Sequence, residues 1–303
     1  MDWQKLGLVY GLDGSSGWAR HSALQPTPLV LQDRIRVFCG FRDDHGVSRI
    51  GYVDVSRTDP TKVLEVSQYP VLERGEFGTF DQDGVVPCAV IPKGDEIHMY
   101  YAGYLRGEKV RFQVFSGVAI SHDNGRTFTR RSNIPILDRT PGESLFRVIH
   151  TILWDNGRWR VWYGAGDTFI AGREKSLPVY NIRYMESADG FDFPRQGELA
   201  IDILDGEHRV GRPYVIKVGE RYLMFFGRGK EDDPYRLAYA ESSDGLAWTQ
   251  HQTLSGLELS SEGWDSEMMA YPAVVTTNSG TYMFYNGNNY GRDGFGCARL
   301  LSW

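Results

Sequence analysis

The amino-acid sequence predicts an all-β fold, a five-bladed β-propeller of four-stranded blades, with residues 1–303 forming a single domain. Aromatic residues make up 13% of the chain and 35 glycines supply turn positions, a combination that favours short strands joined by tight turns. A phrase of three strand-like segments returns five times at intervals typical of propeller blades. The N-terminal segment offers the strand that the last phrase lacks.

Each phrase opens with a short apolar run, often begun by proline. A run this short and continuously apolar suits a strand that is buried on both faces. The five runs are residues 28–31, 87–91, 149–153, 213–216 and 272–275. An aromatic second strand follows each of them, at residues 34–40, 97–103, 159–164, 222–227 and 282–287.

A third strand completes each phrase, and a tight turn follows it in the middle three. The third strands are residues 50–53, 117–120, 182–185, 237–240 and 294–298. In the turns, Ser121, Ser187 and Ser243 precede an aspartate and a glycine. The Asp side chain and a glycine at φ > 0 make such a turn tight, and the next aromatic residue anchors an outer fourth strand. We interpret these turns as structural.

The fifth phrase leaves no residues for a fourth strand. Residues 3–10 have the aromatic, alternating character of an outer strand, so we expect the N-terminal strand to complete the last blade. Closing the ring in this way leaves no exposed sheet edge around it. A β-sandwich is the alternative fold, and it fits the fivefold repeat less well.

Charge and cysteine patterns exclude several kinds of protein. The net charge of −6 comes from interspersed acids and bases, without the basic run that nucleic acid binding needs. The sequence has neither a membrane-spanning apolar stretch nor a signal-peptide pattern, which predicts a soluble cytoplasmic protein. Cys39, Cys88 and Cys297 are widely spaced, which predicts buried free thiols. No metal or cofactor motif is present.

These blade motifs resemble those of the arabinanase, invertase and mannosyl-phosphorylase superfamily, which includes glycoside hydrolase families 43, 32, 62, 68 and 130. The resemblance covers essentially the whole sequence and implies a propeller that acts on a saccharide or glycoconjugate. Within it, four segments look like those of short glycosidase-like proteins encoded among bacterial surface-polysaccharide genes. They are residues 78–85, 136–141, 262–268 and 284–288.

The sequence departs from these families at their signature carboxylates. In family 43 an aspartate just before the first inner-strand proline is the general base, and the matching position here looks like Thr27, before Pro28. In family 130 an aspartate precedes the proline of the second blade, where this sequence has Val86. Arg42 and Asp43 lie in a segment that resembles the arginine-bearing second strand of family 130.

The candidate site residues come just before the inner strands, whose ends open onto the central funnel of a propeller. Glycoside chemistry uses two carboxylates, one as acid and one as base or nucleophile. We assign Glu267 as the acid and Asp83 as the base or nucleophile, with Asp265 as the substitute. The alternative is that these carboxylates cap turns or form structural ion pairs.

Further polar and aromatic residues near the same strand ends are candidates for substrate binding. They are His21, Gln25, Arg42, Asp43, Asp81, Arg147, His150, Arg212, Trp264, Asn286 and Asn288. Trp18, Tyr104 and Phe146 are candidates for stacking on a sugar ring. The histidines are more often hydrogen-bonding or packing residues than metal ligands.

Three functions are compatible with this pattern. The first is hydrolysis of a glycosidic bond by paired carboxylates. The second is glycosyl transfer or phosphorolysis in surface-polysaccharide assembly, with Arg42, Arg147 and Arg212 holding a phosphate. The third is a catalytically silent glycan-binding propeller, in line with the missing signature aspartates.

Overall fold

The computed structural model describes residues 1–303, which form β-strands and loops with one helical turn. The strands β1 to β20 are, in sequence order, Asp2–Tyr10, His21–Val30, Arg34–Arg42, Ser48–Ser56, Val63–Val66, Val85–Lys93, Glu96–Arg106, Phe112–Ser121, Thr129–Arg130, Phe146–Asp155, Arg158–Ala171, Ser176–Ser187, Glu198–Ile201, Arg209–Val218, Arg221–Gly229, Arg236–Ser242, Thr249–His251, Ala270–Thr277, Gly280–Asn286 and Phe295–Ser302. The helical segment α1 is Asn288–Gly291. It is too short to cross a membrane, and no longer apolar helix is present.

Consecutive strands pair in antiparallel ladders. Strands β2 to β5 form one group of four, and β6 to β9, β10 to β13 and β14 to β17 repeat the same order. Strands β18, β19 and β20 form the last group together with β1, which pairs with β20 and brings Gln4 opposite Arg299. The N-terminal strand is thereby the outer strand of the last group. Short parallel pairings between β8 and β10 and between β12 and β14 link three of the groups.

The hydrophobic core lies between neighbouring groups of strands. Five buried clusters each combine residues of two neighbouring groups. One of them contains Val37 of β3 and Phe284 of β19, so the last group packs against the first. Trp3 of β1 packs with Phe225 and Tyr285 in another.

The serine and aspartate turns take the structural role that the sequence predicts. In the turn after β12, the Ser187 hydroxyl accepts the backbone N–H of Gly190, and Asp189 accepts the N–H groups of Phe191 and Asp192. After β16 the corresponding serine is Ser242, one residue before the predicted Ser243, because its hydroxyl accepts the N–H of Gly245 at 2.8 Å. These bonds satisfy the turn's backbone donors.

Each of the strands β2, β6, β10, β14 and β18 carries a bulge near its start. Its register against the next strand shifts between Leu24 and Thr27 in β2, and at matching places in the other four. Proline has no N–H to donate to a ladder, and prolines lie at the bulges of β2, β14 and β18. The residues before them, Gln25, Arg212 and Tyr271, have φ values of 52°, 56° and 58°. A bulge of this kind re-aims a side chain out of the sheet.

Candidate functional site

A cavity of about 410 Å³ lies where the bulged strands converge. Each of the five strands contributes at least one residue to its wall, and examples are Gln25, Val86, His150, Arg212 and Tyr271. Three of these residues are the positive-φ bulge residues of β2, β14 and β18. The bulges therefore aim side chains from distant parts of the sequence into one space.

Cationic side chains dominate the polar wall of this cavity. They are Arg42, Arg106, Arg111, Lys175, Arg209 and Arg212. The only carboxylate on the wall is Asp83. None of the six cations belongs to the ion pairs of the structure, which include buried pairs elsewhere such as Arg36 with Asp54 at 2.7 Å. The cavity therefore carries a net positive potential, because one carboxylate faces six cations.

Arg212 and His150 lie deep in the cavity. The Nη1 of Arg212 donates to the Cys88 carbonyl and its Nη2 donates to the Thr27 hydroxyl at 2.8 Å. These bonds leave its Nε without a partner. The Nδ1 of His150 also has no partner. Burial, and then the charge of Arg212, lowers the pKa of His150 well below its usual value, so the ring is neutral at pH 7.

Arg209 lies against a group of tyrosines on another part of the wall. Its guanidinium is 4.4 Å from the ring centre of Tyr235 and 5.9 Å from that of Tyr290. Tyr180 is hydrogen-bonded to Tyr235 through their hydroxyls, and Tyr271 packs beside Tyr235. Burial raises the pKa values of Tyr235 and Tyr271 well above the usual value, so both hydroxyls stay protonated. Such rings offer apolar faces and hydroxyl donors together.

Hydrogen bonds to neighbouring backbone and amide groups hold Asp83 in place. Its Oδ2 accepts the backbone N–H of Arg106 at 2.8 Å and the side-chain amide of Gln82 at 3.3 Å. Its own N–H donates to the Tyr104 carbonyl at 3.1 Å. No protein group donates to Oδ1, which leaves one carboxylate oxygen available to a ligand.

The sequence aligns along its whole length with two proteins of Mycobacterium tuberculosis. It is 33% identical over 303 residues to Uncharacterized protein Rv1502 of strain ATCC 25618 / H37Rv, with 99% of each protein covered. Uncharacterized protein MT1551 of strain CDC 1551 / Oshkosh matches at the same identity and coverage. This protein belongs to the Rv1502 family. No protein-family model matches it.

Solved structures of glycoside hydrolases share the fold. One structure named as a glycoside hydrolase superposes with a TM-score of 0.73 at 18% identity, over 99% of this protein and 94% of that one. A thermostable family-43 glycoside hydrolase gives 0.68 at 17% identity, over 94% and 90%. The GH32 β-fructofuranosidase BmSUC1 of Bombyx mori gives 0.63 at 14% identity, over 97% and 62%. This member of the Rv1502 family therefore has the fold of the propeller glycosidase superfamily.

Strand register corrects one position assigned from the sequence. In the ladders, Leu24 lies opposite Gly40, Gly211 opposite Gly227, and Ala270 opposite Asn286. The first residue of each of these pairs stands two residues before a proline. Pro26, and not Pro28, therefore corresponds to Pro213 and Pro272. The residue directly before the equivalent proline of β2 is consequently Gln25 rather than Thr27. The sequence misled because prolines stand at both 26 and 28.

The structure brings together part of the predicted site. Gln25, Arg42, Asp83, His150 and Arg212 all line the cavity, as do the proposed stacking residues Tyr104 and Phe146. Trp18 does not, since it packs edge-on against Phe41 and donates its Nε1–H to Gln68.

The two predicted carboxylates that precede β18, Asp265 and Glu267, lie outside the cavity wall. Asp265 is buried and accepts hydrogen bonds from Lys5 at 2.8 Å and from the Tyr285 hydroxyl at 3.1 Å, so it forms a structural ion pair. Glu267 is exposed, and its N–H donates to Asn288. Trp264 stacks on Tyr285 with 5.0 Å between ring centres. The structure does not bring Glu267 or Asp265 together with Asp83 in this cavity.

The remaining predicted binding residues make internal contacts. Asp81 accepts from Arg130 at 2.8 Å, and Arg147 donates to Glu143 at 2.6 Å. Asp43 is paired with Arg49, and the Nδ1 of His21 is 2.9 Å from the Ser22 hydroxyl. The amide of Asn286 bonds Gln25, Ala23 and Gly294, while that of Asn288 accepts from Glu267 and Met268. None of these remaining residues lines the cavity.

Sequence reasoning missed much of the wall. The missed residues include Arg106, Arg111, Lys175, Arg209, Tyr180, Tyr235, Tyr271 and Tyr290. Tyr271 carried a usable signal, because it stands directly before a proline, as Gln25 and Arg212 do. The other residues come from strands, loops and α1, without a shared sequence pattern. No group of three or more His, Cys, Asp or Glu residues is arranged to hold a metal ion.

Proposed function

We propose that the protein binds a saccharide in the central cavity and acts on a glycosidic bond there, with Asp83 as the group that transfers the proton. The observation that carries the proposal is the single carboxylate on the aromatic and polar wall of the cavity, that of Asp83, whose Oδ1 has no protein partner. Aromatic faces pack on the C–H faces of sugars, and a positioned carboxylate accepts a proton from an attacking hydroxyl. The fold shared with glycoside hydrolases supports the substrate class.

We further propose that the fold is a single five-bladed propeller, residues 1–303, with the N-terminal strand completing the last blade. The five groups of four strands and the shared cluster between first and last groups support this. The cytoplasmic location, the role in bacterial surface-polysaccharide assembly and the absence of a nucleic acid partner stay predictions from the sequence.

One carboxylate on the wall favours a mechanism other than paired-carboxylate hydrolysis. In that mechanism a second carboxyl group lies across the scissile bond, about 5 to 10 Å away. No second acid lines this cavity. Transfer of a glycosyl group to or from an anionic group such as phosphate needs only one carboxylate. Cations stabilise the charge on the phosphate oxygen that forms or breaks the bond to the sugar.

A glycan-binding protein without catalysis is the second candidate. It is favoured by Gln25 at the position that matches the family-43 base, since an amide does not accept a proton at neutral pH.

The substitution Asp83→Asn tests the proposal. We expect kcat on nitrophenyl glycosides and glycosyl phosphates to fall by about a hundredfold or more, because proton transfer is lost. Saccharide affinity measured by calorimetry should change little. Asp95→Asn, in the exposed β6–β7 turn, is the matched control and should keep full activity.

The result also separates the candidate functions. If Glu267→Gln lowers kcat as much as Asp83→Asn, the paired-carboxylate mechanism of the sequence analysis is right instead. If the wild-type protein binds saccharides and turns none of them over, the binding function replaces the enzymatic one. If no saccharide binds, both are wrong.

A further inference from the structure

The buried arginines of this cavity differ from the other buried arginines of the protein. Arg36 pairs with Asp54, Arg147 with Glu143 and Arg228 with Glu207, all within 2.7 Å. Arg209 and Arg212 are only 7% and 3% exposed, and neither has a carboxylate partner. A buried charge without a partner is costly, so it is retained where something else compensates it.

Unpartnered nitrogens are concentrated on the same wall. Eight buried side-chain nitrogens in the protein have no hydrogen-bond partner, and four of them belong to residues that line this cavity. These four are the Nε atoms of Arg42, Arg209 and Arg212 and the Nδ1 of His150. All the unpartnered buried arginine nitrogens of the protein are therefore here. An unmade hydrogen bond costs about 1–3 kcal/mol per group, which argues against coincidence at one place.

The donors on the wall indicate which chemical group these nitrogens bind. Guanidinium groups have donors only, and they form their strongest bonds with the oxygens of phosphates and carboxylates. Only Asp83 supplies negative charge against six cations. The tyrosine faces beside Arg209 suit a sugar ring at the same time.

We infer that the ligand is a saccharide that carries an oxyanion, a phosphate ester or a carboxylate, and that Arg42, Arg209, Arg212 and His150 hold this group. The inference rests on the proposed function for the saccharide part. It adds that a neutral glycan is not the preferred ligand.

Calorimetry with pairs of sugars tests the inference. The anionic members are glucose 1-phosphate, mannose 1-phosphate, glucuronate and galacturonate, and the others are glucose, mannose, galactose and inorganic phosphate. We expect at least one anionic sugar to bind about tenfold or more tightly than its neutral counterpart and than inorganic phosphate. Its affinity should fall as salt rises. The phosphate and uronate members show which oxyanion the site takes.

Arginine substitutions locate the oxyanion. Arg42→Gln and Arg209→Gln should each weaken binding of the anionic sugar by about tenfold, and each should reduce the advantage of the anionic sugar over its neutral counterpart. Arg209→Lys keeps the charge but not the planar fork, so it provides a second variant if Arg209→Gln does not fold. The control is Arg221→Gln, which replaces an exposed arginine at the start of β15 and should leave binding unchanged.

Equal affinity for anionic and neutral sugars, or arginine variants that bind like the wild type, would overturn the inference. Inorganic phosphate binding as tightly as every sugar phosphate would do the same. These failures differ from failure of the proposed function. If neutral glycans are turned over and Asp83→Asn abolishes turnover, the function stands and the inference falls. If anionic sugars bind and none is turned over, the inference stands alone.

Discussion

At the scale of single residues, the cavity is built from side chains whose local conformation is unfavourable. The backbone φ values of Gln25, Arg212 and Tyr271 are above 50°, a conformation that residues other than glycine seldom adopt. Arg212 offsets this by bonding the Cys88 carbonyl and Thr27, two groups on neighbouring bulged strands. Arg212 therefore combines backbone strain with an unpaired charge, and backbone strain of this kind is typical of functional sites.

Arg209 offers a test of whether stability is sacrificed for binding. Its guanidinium is buried without an ion pair and is compensated only by tyrosine faces. Arg209→Met keeps the side-chain length and removes the charge, so we expect the free energy of unfolding of the unliganded protein to rise by about 1 kcal/mol. Urea denaturation measures this. Arg221→Met should be neutral, and a lower stability of Arg209→Met would contradict the explanation.

At the scale of elements, the bulge is held by a side chain from another strand. The Asn286 amide at the end of β19 accepts the N–H of Gln25 at 2.8 Å and donates to the carbonyls of Ala23 and Gly294. Asn286 is fully buried, so these backbone groups have no access to water in its place. Asn286 is thus a positioning residue for Gln25.

Replacing this amide should loosen both the fold and the cavity. We expect Asn286→Ala to lower the free energy of unfolding by about 3 kcal/mol, because three buried backbone groups lose their partner. Saccharide affinity should fall as well, since Gln25 is no longer held in place. Asn278→Ala, in the exposed β18–β19 turn, is the control. Unchanged stability of Asn286→Ala would show that the bulge is held by the strands alone.

Strand positions were predictable at this scale, and bulge positions were not. The aromatic second strands at 97–103 and 222–227 fall within β7 and β15, because alternation and aromatic content are local properties. The shift at Pro26 depends on which residue of β3 lies opposite. Register is a property of two strands, and one strand's sequence does not fix it.

At the scale of the whole molecule, contacts of β1 join the N-terminal and C-terminal ends of the protein. Trp3 is only 2% exposed, packs edge-on against Phe225 and donates its backbone N–H to the Ser255 carbonyl at 2.9 Å. Lys5 of the same strand pairs with Asp265. The N-terminal strand therefore anchors the last group of strands to its neighbour.

Removing the Trp3 side chain should lower the stability of the entire molecule. We expect Trp3→Ala to lower the free energy of unfolding by about 3–5 kcal/mol, the usual cost of deleting a buried tryptophan. The transitions seen by circular dichroism and by fluorescence should still coincide, because each group of strands packs on its two neighbours. Trp303→Ala, which removes an exposed tryptophan directly after β20, should change the free energy of unfolding little. Separate transitions would mean that the last group unfolds alone.

Patterns within short segments predict the repeat of strands and the serine and aspartate turns, because local sequence decides conformation there. The pairing of the N-terminal strand with the last one follows instead from counting strands, because the fifth phrase leaves no residues for a fourth strand of its own. The composition of the cavity does not follow in this way. Asp265 is 260 residues from Lys5 and becomes an ion pair only when the two ends of the protein meet. Arg42 and Arg209 likewise face one cavity only after five bulged strands converge, because the partners of a charged side chain are set by distances in space and not by spacing along the sequence.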